Sequence, residues 1–302
     1  MAAWVIGFAI LYFLAAKLGI ATSLPPQGIV TIWPPNAIIL VVLLAVERRH
    51  WWAFFAATVV TEIIADVPFY PLWAAASYGF VNFLEAATAA FLVQRFCRGV
   101  PPLTGVDGFA RFIFIGPLVA SGTAAMLGAA VYKIGAPELD YVHYWRVFWF
   151  GDALGLLIVG TCLLSLFRVP IWWSEARIPK LVEGLALFAA LGAAIVAAFF
   201  TGPDIARVYM LFPFLLWAAV RFGVHGACVA VLFVVGAAIG SAAMGVGPFS
   251  EMSAVDNVVA LQSLSVIVAL STFFLAFTIE DFWRANARLQ SRSENMPRRR
   301  KS

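Results

Sequence analysis

The stretch that decides the fold is Phe148-Trp149-Phe150-Gly151-Asp152-Ala153-Leu154-Gly155, an apolar run with a single carboxylate near its middle. Placing a charged side chain at the centre of a bilayer costs roughly 3 kcal/mol or more, so such residues face the interior of a helix bundle and commonly mark functional sites. Gly151 and Gly155 form a pair of small residues four positions apart, which lets another helix approach closely. We therefore expect Asp152 to lie between packed helices.

The composition of the whole chain is that of a polytopic membrane protein. Its 302 residues are 63% hydrophobic and only 12% charged, with a mean hydropathy of +0.93, which leaves too little polar surface to cover a soluble globule. At about 20 apolar residues per crossing, the sequence predicts an all-α integral membrane bundle of about ten transmembrane helices. The predicted spans are 3–20, 31–46, 51–67, 72–96, 110–132, 144–167, 181–200, 205–221, 225–245 and 257–279.

The distribution of basic residues predicts the orientation of these helices. Lysine and arginine concentrate in alternate loops, at 48–49, 95–111, 168–180 and 221, and in the tail 284–301. By the positive-inside rule these segments are cytoplasmic, so both termini are expected on the cytoplasmic side. The tightest predicted connection is the turn Arg221–Gly226, where two spans follow one another with little polar chain between them.

Polar side chains on other spans are candidate partners for Asp152. About 1.5 Å per residue from His143 places Asp152 near the midplane of a core about 30 Å thick. Asn82 and Glu85 lie three positions apart and so share a helix face. The predicted signal-binding pocket opens toward the outer face, with Arg146 at its mouth to attract an anionic ligand. Its other predicted members are Trp33, Asn36, Glu62, Asn82, Glu85, Trp145, Trp149 and Asp152.

Two interpretations of this set stay open. In the first, the side chains line a ligand pocket. In the second, they satisfy one another and only lock the helix packing, as interhelical hydrogen bonds commonly do. No chemistry beyond binding is indicated: His50, His143 and His225 lack metal-ligand spacing, and no nucleophile elbow, phosphate loop or dinucleotide fingerprint is present. We expect neither a metal, nor a cofactor, nor an enzyme with catalytic residues.

The last 22 residues are predicted to begin as a continuation of the membrane helix. We divide the chain into a transmembrane domain, 1–280, and a cytoplasmic juxtamembrane helix with a basic tail, 281–302, which has no room for an output domain. Ile279, Phe282 or Trp283, and Leu289 follow near-heptad spacing before a break at Pro297. The terminal basic run 298–301 is expected to bind anionic membrane lipids. It is too short to indicate nucleic-acid binding.

Five groups of residues together resemble the membrane-associated sensor (MASE) domain of the first-described type. They are Trp33–Asn36 with Glu47–Trp51, Asn82–Ala86 with Arg95–Phe96, Trp149–Gly155, Pro213–Gly223 and Gly245–Phe249. Such domains are input modules of bacterial histidine kinases and diguanylate cyclases. The resemblance implies a multi-pass protein of the bacterial inner membrane that serves two-component or cyclic di-GMP signalling. It also implies a homodimer, because output domains of this kind usually act as dimers.

The leading functional hypothesis is therefore a non-enzymatic sensor. A ligand or proton near Asp152 and Glu85 would bias two arrangements of the bundle that differ in the position of the helix 256–292, provided that its affinity differs between them. Its output domain would follow in a longer protein, or a partner kinase or cyclase would supply it. The alternative hypothesis is a proton-coupled secondary transporter, which midplane carboxylates would also suit.

Overall fold

The computed structural model describes residues 1–21, 23, 30–67, 69–97, 103–138, 140–167, 177–202 and 204–294, without the side chains of 177, 254, 255 and 291–294. Within these residues the chain is helical and contains no strand, which confirms the predicted all-α class. The predicted basic tail beyond residue 294 lies outside the described residues.

Eleven α-helices follow one another along the described chain. They are α1 (Ala2–Ala21), α2 (Pro35–Ala45), α3 (Trp51–Asp66), α4 (Leu72–Phe96), α5 (Gly105–Ile113), α6 (Ser121–Gly135), α7 (Tyr141–Leu154), α8 (Thr161–Ser165), α9 (Arg177–Phe199), α10 (Phe212–Ala243) and α11 (Ala254–Glu294). A 3-10 turn, Arg48–His50, precedes α3, and a second, Ile205–Leu211, precedes α10.

Seven continuous helices in the described part of the chain are long and apolar enough to cross a membrane. They are Ala2–Ala21, Leu72–Phe96, Gly105–Gly135, Tyr141–Ser165, Ile178–Phe199, Ile205–Ala243 and Asp256–Gln290. With 11 and 16 residues, α2 and α3 are only about 17 and 24 Å long, less than a hydrocarbon core of about 30 Å. The multi-pass bundle is thus supported, whereas the count of about ten spans and the cytoplasmic side of both termini stay predictions.

Two of the long helices are interrupted by π-helical segments, which the sequence did not predict. Phe114–Ala120, which contains Pro117, joins α5 to α6, and Gly155–Gly160 joins α7 to α8. Proline removes a backbone donor and clashes with the preceding turn, so it favours such a widening. The two segments contact each other inside the bundle. Segments of this kind recur at functional sites.

The predicted second span begins later than expected, because residues 31–34 are not helical. Pro35 occupies the first turn of α2, where its missing N–H costs nothing. The N–H of Trp33 instead donates to the Gly151 carbonyl of α7 at 3.0 Å. A Cβ on Gly155 would lie 2.0 Å from the Trp33 carbonyl oxygen. The glycine pair therefore admits a non-helical segment, and the predicted close approach of a helix at this pair was wrong.

The predicted turn between residues 221 and 226 is confirmed as a sharp break at Gly223, whose φ of 59° and ψ of −150° interrupt α10. The Ala218 carbonyl oxygen lies 2.9 Å from the position that a Cβ on Gly226 would take. Eight residues of unbroken helix span about 12 Å, so the chain must fold back here. The helix α10 thus has a first half, 212–222, and a second half, 224–243.

The last helix continues beyond the tenth predicted span, which confirms the helix predicted over 256–292. It runs for 41 residues, about 60 Å, and packs mainly against α10. The predicted span ends near residue 279, and the helix continues through this position to Glu294 without a break, as the near-heptad spacing of Ile279, Phe282 and Leu289 predicts. The division of the chain at residue 280 is therefore not a helix boundary, and it stays a prediction about which part leaves the membrane.

The contact at Gly155 gives a direct test of this packing. Gly155→Ala places a methyl group against the Trp33 carbonyl, and overpacking of this kind costs about 1–3 kcal/mol. We expect the free energy of unfolding, measured by denaturant titration in detergent micelles, to fall by this amount. The matched control is Gly192→Ala in α9, whose Cβ meets nothing within 4 Å and which should stabilise the helix by up to about 1 kcal/mol. Equal effects of the two variants would contradict the proposed packing.

Candidate functional site

The centre of the bundle contains a buried carboxylate, Glu85, that joins four helices. From α2, the Asn36 side-chain amide donates to Glu85 Oε2 at 2.8 Å, and from α6 the Ser121 hydroxyl donates to Oε1 at 2.7 Å. The same Asn36 amide lies 3.4 Å from Asp152 Oδ1 on α7. Glu85 is 1% exposed and Asn36 is fully buried, so these bonds take the place of water.

A second buried carboxylate, Glu62 of α3, binds to α4 at Asn82, one turn before Glu85. It accepts hydrogen bonds from the Tyr12 hydroxyl of α1 at 2.8 Å and from the Asn82 amide of α4 at 2.7 Å. Asn82 and Glu85 occupy one face of α4, as their spacing predicts. The two groups together form what we call the carboxylate network. It consists of Tyr12, Asn36, Glu62, Asn82, Glu85, Ser121 and Asp152.

The network is held by neutral donors. The hydrogen bonds just described come from amide and hydroxyl groups, and none comes from a lysine or arginine. Nearby, Lys17 donates instead to the Ala65 carbonyl at 2.7 Å. Buried charge without a paired counter-charge is costly in a bundle. The carboxyl groups are therefore suited to hold protons, or to accept a ligand that brings its own donors.

Two buried polar atoms beside the network lack a hydrogen-bond partner among the described residues. They are Asn36 Oδ1, on the amide whose nitrogen faces both carboxylates, and Trp33 Nε1, three residues earlier. A buried polar atom left unpaired costs about 1–3 kcal/mol, and such atoms are uncommon enough to need an explanation. Asn36 Oδ1 thus gives the network one free acceptor.

The structure brings together five of the nine residues predicted to form the signal-binding pocket: Asn36, Glu62, Asn82, Glu85 and Asp152. Each is at most 8% exposed. Asp152 lies near the middle of the continuous helix Tyr141–Ser165 of 25 residues. Their mutual bonds are what the packing interpretation expects, whereas the unpaired Asn36 oxygen favours a ligand. Their role in binding stays a prediction.

The other four predicted residues lie outside the network. The Trp145 indole donates to the Gly122 carbonyl of α6 at 3.0 Å. The Trp149 indole donates to the Pro117 carbonyl at 3.0 Å, which joins α7 to the π-helical segment of the α5–α6 helix. The Trp33 ring packs against Gly19 of α1, 2.9 Å from the position of its missing Cβ. Arg146 is exposed on α7. Their predicted contribution to ligand binding also stays a prediction.

Sequence reasoning missed two members of the network, Tyr12 and Ser121. A serine in an apolar helix commonly bonds to its own backbone, so the sequence offers no signal that Ser121 faces a carboxylate on another helix. Tyr12 did offer one, because it lies in the middle of α1, whereas membrane tyrosines are enriched at the interfaces. A mid-span tyrosine indicates a polar partner at the same depth.

No metal site is visible in the part of the chain that the structure describes. Among these residues, no three histidine, cysteine, aspartate or glutamate side chains form a group that could hold a metal ion. The network is thus described by its hydrogen bonds alone. The expected lack of a metal and of a cofactor stays a prediction.

The fold and the network define a class of protein, a multi-pass membrane bundle with carboxyl groups bonded between its helices. The family model described as MASE1 matches residues 4–281, nearly the whole chain. The chain belongs to this family of membrane sensor domains, which confirms the resemblance found in the sequence. No curated protein and no solved structure matches it.

The energetic weight of the network can be measured at Ser121. Ser121→Ala leaves one Glu85 oxygen without its donor, so we expect the free energy of unfolding in detergent to fall by about 1–3 kcal/mol. The matched control, Thr123→Ala, removes an α6 hydroxyl that donates only to the backbone of the preceding turn, and it should change stability by less than about 0.5 kcal/mol. If Ser121→Ala lowers the free energy of unfolding no more than Thr123→Ala does, the network does not stabilise the bundle.

Proposed function

We propose that this chain is a non-enzymatic sensor domain whose carboxylate network receives a signal inside the membrane bundle. The observation that carries the proposal is the network itself: six helices are joined through buried carboxylates by neutral donors. Membership of a membrane sensor family supports it. A ligand with its own donors, or a proton, would change the hydrogen bonds among these helices and thereby their relative positions.

The segment 30–36 offers a route from the network to the last helix. Asn36 bonds to Glu85 at one end of this segment, and the Trp33 N–H bonds to Gly151, next to Asp152. Toward the other end, Gln262 of α11 approaches the Thr31 carbonyl, with a nitrogen–oxygen distance of 3.4 Å. A shift of Asn36 would therefore reach α11 through five residues of chain. The ligand can drive such a shift only by binding the two arrangements with different affinity.

The direction of the signal follows from the charges of the loops. We propose about ten membrane crossings with both termini in the cytoplasm of a bacterium, because the basic residues concentrate in alternate loops as the positive-inside rule requires. In this arrangement α11 leads out of the inner membrane toward an output domain or a partner kinase or cyclase, and the chain works as a homodimer. The basic tail would bind anionic lipid headgroups.

A fusion tests the sensor role. A diguanylate cyclase domain is joined after Glu294, and we expect Asp152→Asn or Glu85→Gln to change its output by about fivefold or more, the usual size of coupling between two sites. The matched control is Asp204→Asn, because among the described residues that exposed carboxylate contacts only its own turn, the Ala206 N–H and the Arg207 side chain, and lies outside the network. Unchanged output from network variants that insert normally would refute the sensor site.

A second candidate function is proton-coupled transport. The specific observation in its favour is that two neighbouring helices are interrupted, at Phe114–Ala120 and at Gly155–Gly160, and that these interruptions contact each other. Paired discontinuous helices line the substrate sites of many secondary transporters. The network contacts both helices, through Ser121 and Asp152.

Reconstitution separates the two functions. A transporter would show substrate-dependent proton uptake into proteoliposomes, and Asp152→Asn would reduce it by about tenfold or more, since it removes a midplane carboxyl. Vesicles with the Asp204→Asn protein should retain uptake. We expect the sensor to give flat traces across a broad substrate panel, and any proton flux that depends on both substrate and Asp152 would establish transport instead.

A further inference from the structure

The last helix is attached to the start of α5 by a side chain. The Val106 N–H, in the first turn of α5, donates to Asp281 Oδ2 of α11 at 2.9 Å. The preceding residue, Gly105, has a φ of 70°, and a Cβ there would lie 2.7 Å from the same Asp281 oxygen. Glycine is thus required both by the backbone conformation and by the approach of the carboxylate.

The neighbouring residue of α11 makes the same attachment to a different helix. The Val224 N–H, at the start of the second half of α10, donates to Glu280 Oε1 at 3.0 Å. Gly223 precedes it with a φ of 59°, and a Cβ there would lie 2.8 Å from Glu280 Oε1. Glu280 is only 2% exposed. Two adjacent carboxylates thus each meet a glycine with positive φ and the N–H that follows it.

In both contacts a carboxylate of α11 caps the N-terminus of another helix. The first N–H groups of a helix lack an intrahelical partner, and a carboxylate there also interacts favourably with the helix dipole. Consecutive residues of α11 point about 100° apart, so Glu280 and Asp281 reach partners on two sides. Arg284 holds the pair from the next turn, with Nη2 3.0 Å from Glu280 Oε2 and Nη1 3.6 Å from Asp281 Oδ1.

The surroundings of this pair leave α11 open on one flank. A cleft of about 390 Å³ lies beside the contact between the start of α5 and α11. The side chains of Phe282 and Leu289, beyond the pair, are 60% and 63% exposed. The cleft is lined by Thr104, Gly105, Asp107, Asp281, Arg284, Ala285 and Arg288. Phe277, one turn before the pair, stacks on Phe109 of α5 with ring centroids 4.7 Å apart, whereas Asp281 itself borders the open cleft.

We propose that Glu280 and Asp281 form a carboxylate latch that fixes the axial and rotational position of α11 as it leaves the bundle, and that the signal is transmitted by its release. A screw displacement by one residue moves the helix by about 1.5 Å and turns it by about 100°, which points both carboxylates away from the two N–H groups. The latch therefore holds α11 in one axial and rotational position until both bonds break. This inference rests on the proposed function only for the statement that α11 carries the signal.

Hydrogen–deuterium exchange tests the latch independently of any output domain. In the full chain in lipid nanodiscs, we expect Asp281→Ala to accelerate exchange of the Val106 amide by about tenfold or more, the value of a hydrogen bond to a charged acceptor. Glu280→Ala should do the same at Val224. Both variants should also accelerate exchange along 281–290. Glu280→Gln and Asp281→Asn, which keep an acceptor oxygen, should give smaller increases and guard against loss of folding.

The control is Asp256→Ala, which removes an exposed carboxylate at the opposite end of α11 that accepts from Ser253. It should leave exchange at Val106, at Val224 and along 281–290 unchanged. Exchange in Glu280→Ala and Asp281→Ala equal to that of the control would overturn the latch.

The cyclase fusion separates failure of the latch from failure of the proposed function. Release of α11 predicts that Glu280→Ala and Asp281→Ala change the output about fivefold or more, even when the network is intact. Altered exchange with unchanged output would refute the role of the latch in transmitting the signal, but it would still support the attachment of α11 by Glu280 and Asp281. Output that responds to the latch variants but not to Asp152→Asn would refute the network as the signal site and support the latch.

Discussion

The packing of the bundle depends on the hydrogen bonds that satisfy the buried carboxylate of Glu85. A carboxylate at this depth has no water to solvate it, and its oxygens are satisfied by Asn36 and Ser121 from two other helices. Those donors must stay within hydrogen-bonding distance, because a buried polar group left unpaired costs about 1–3 kcal/mol. The positions of α2, α4 and α6 are thereby fixed relative to one another. The same amide of Asn36 faces Asp152, which brings α7 into the arrangement.

The glycines of α7 show how the network reaches the rest of the chain. Gly151 and Gly155 leave room for the non-helical segment that carries Thr31 and Trp33, so this segment contacts α7 and α11 and leads directly to Asn36 in the first turn of α2. A helix in its place would have paired its own backbone and could not have offered the Trp33 N–H to Gly151. The non-helical backbone is tolerated at this depth because it is enclosed by protein. Two π-helical segments lie in the same region, where Trp149 bonds to the Pro117 carbonyl.

The last part of α11 is also positioned by directed hydrogen bonds to its carboxylates. Glu280 and Asp281 supply acceptors to two helix starts that have no intrahelical partner, and in doing so they attach the last helix to α5 and α10. The network and the latch are thus two sets of directed bonds at different points along the bundle. Bonds of this kind weaken steeply with distance and angle, so a displacement of one helix relative to its neighbours breaks them.

Much of the architecture could be predicted from the sequence, because it depends on properties that are local to each segment. Hydropathy determined the membrane class, and the spacing of three determined that Asn82 and Glu85 share a face of α4. The break at Gly223 was visible as a cluster of turn residues. Asp152 was recognisable because a carboxylate in an apolar run is anomalous wherever the run lies.

Tertiary structure alone decided which of these residues meet. Asn36 and Asp152 are separated by 116 positions, and Val106 and Asp281 by 175, so no local pattern connects them. Ser121 and Tyr12 joined the network because of the neighbours that packing gave them, and the start of α2 moved to Pro35 because the preceding segment bonds to α7. The sequence determined that buried carboxylates need partners, since that requirement belongs to each residue. The partners themselves depend on how the helices pack, which is a property of the whole chain.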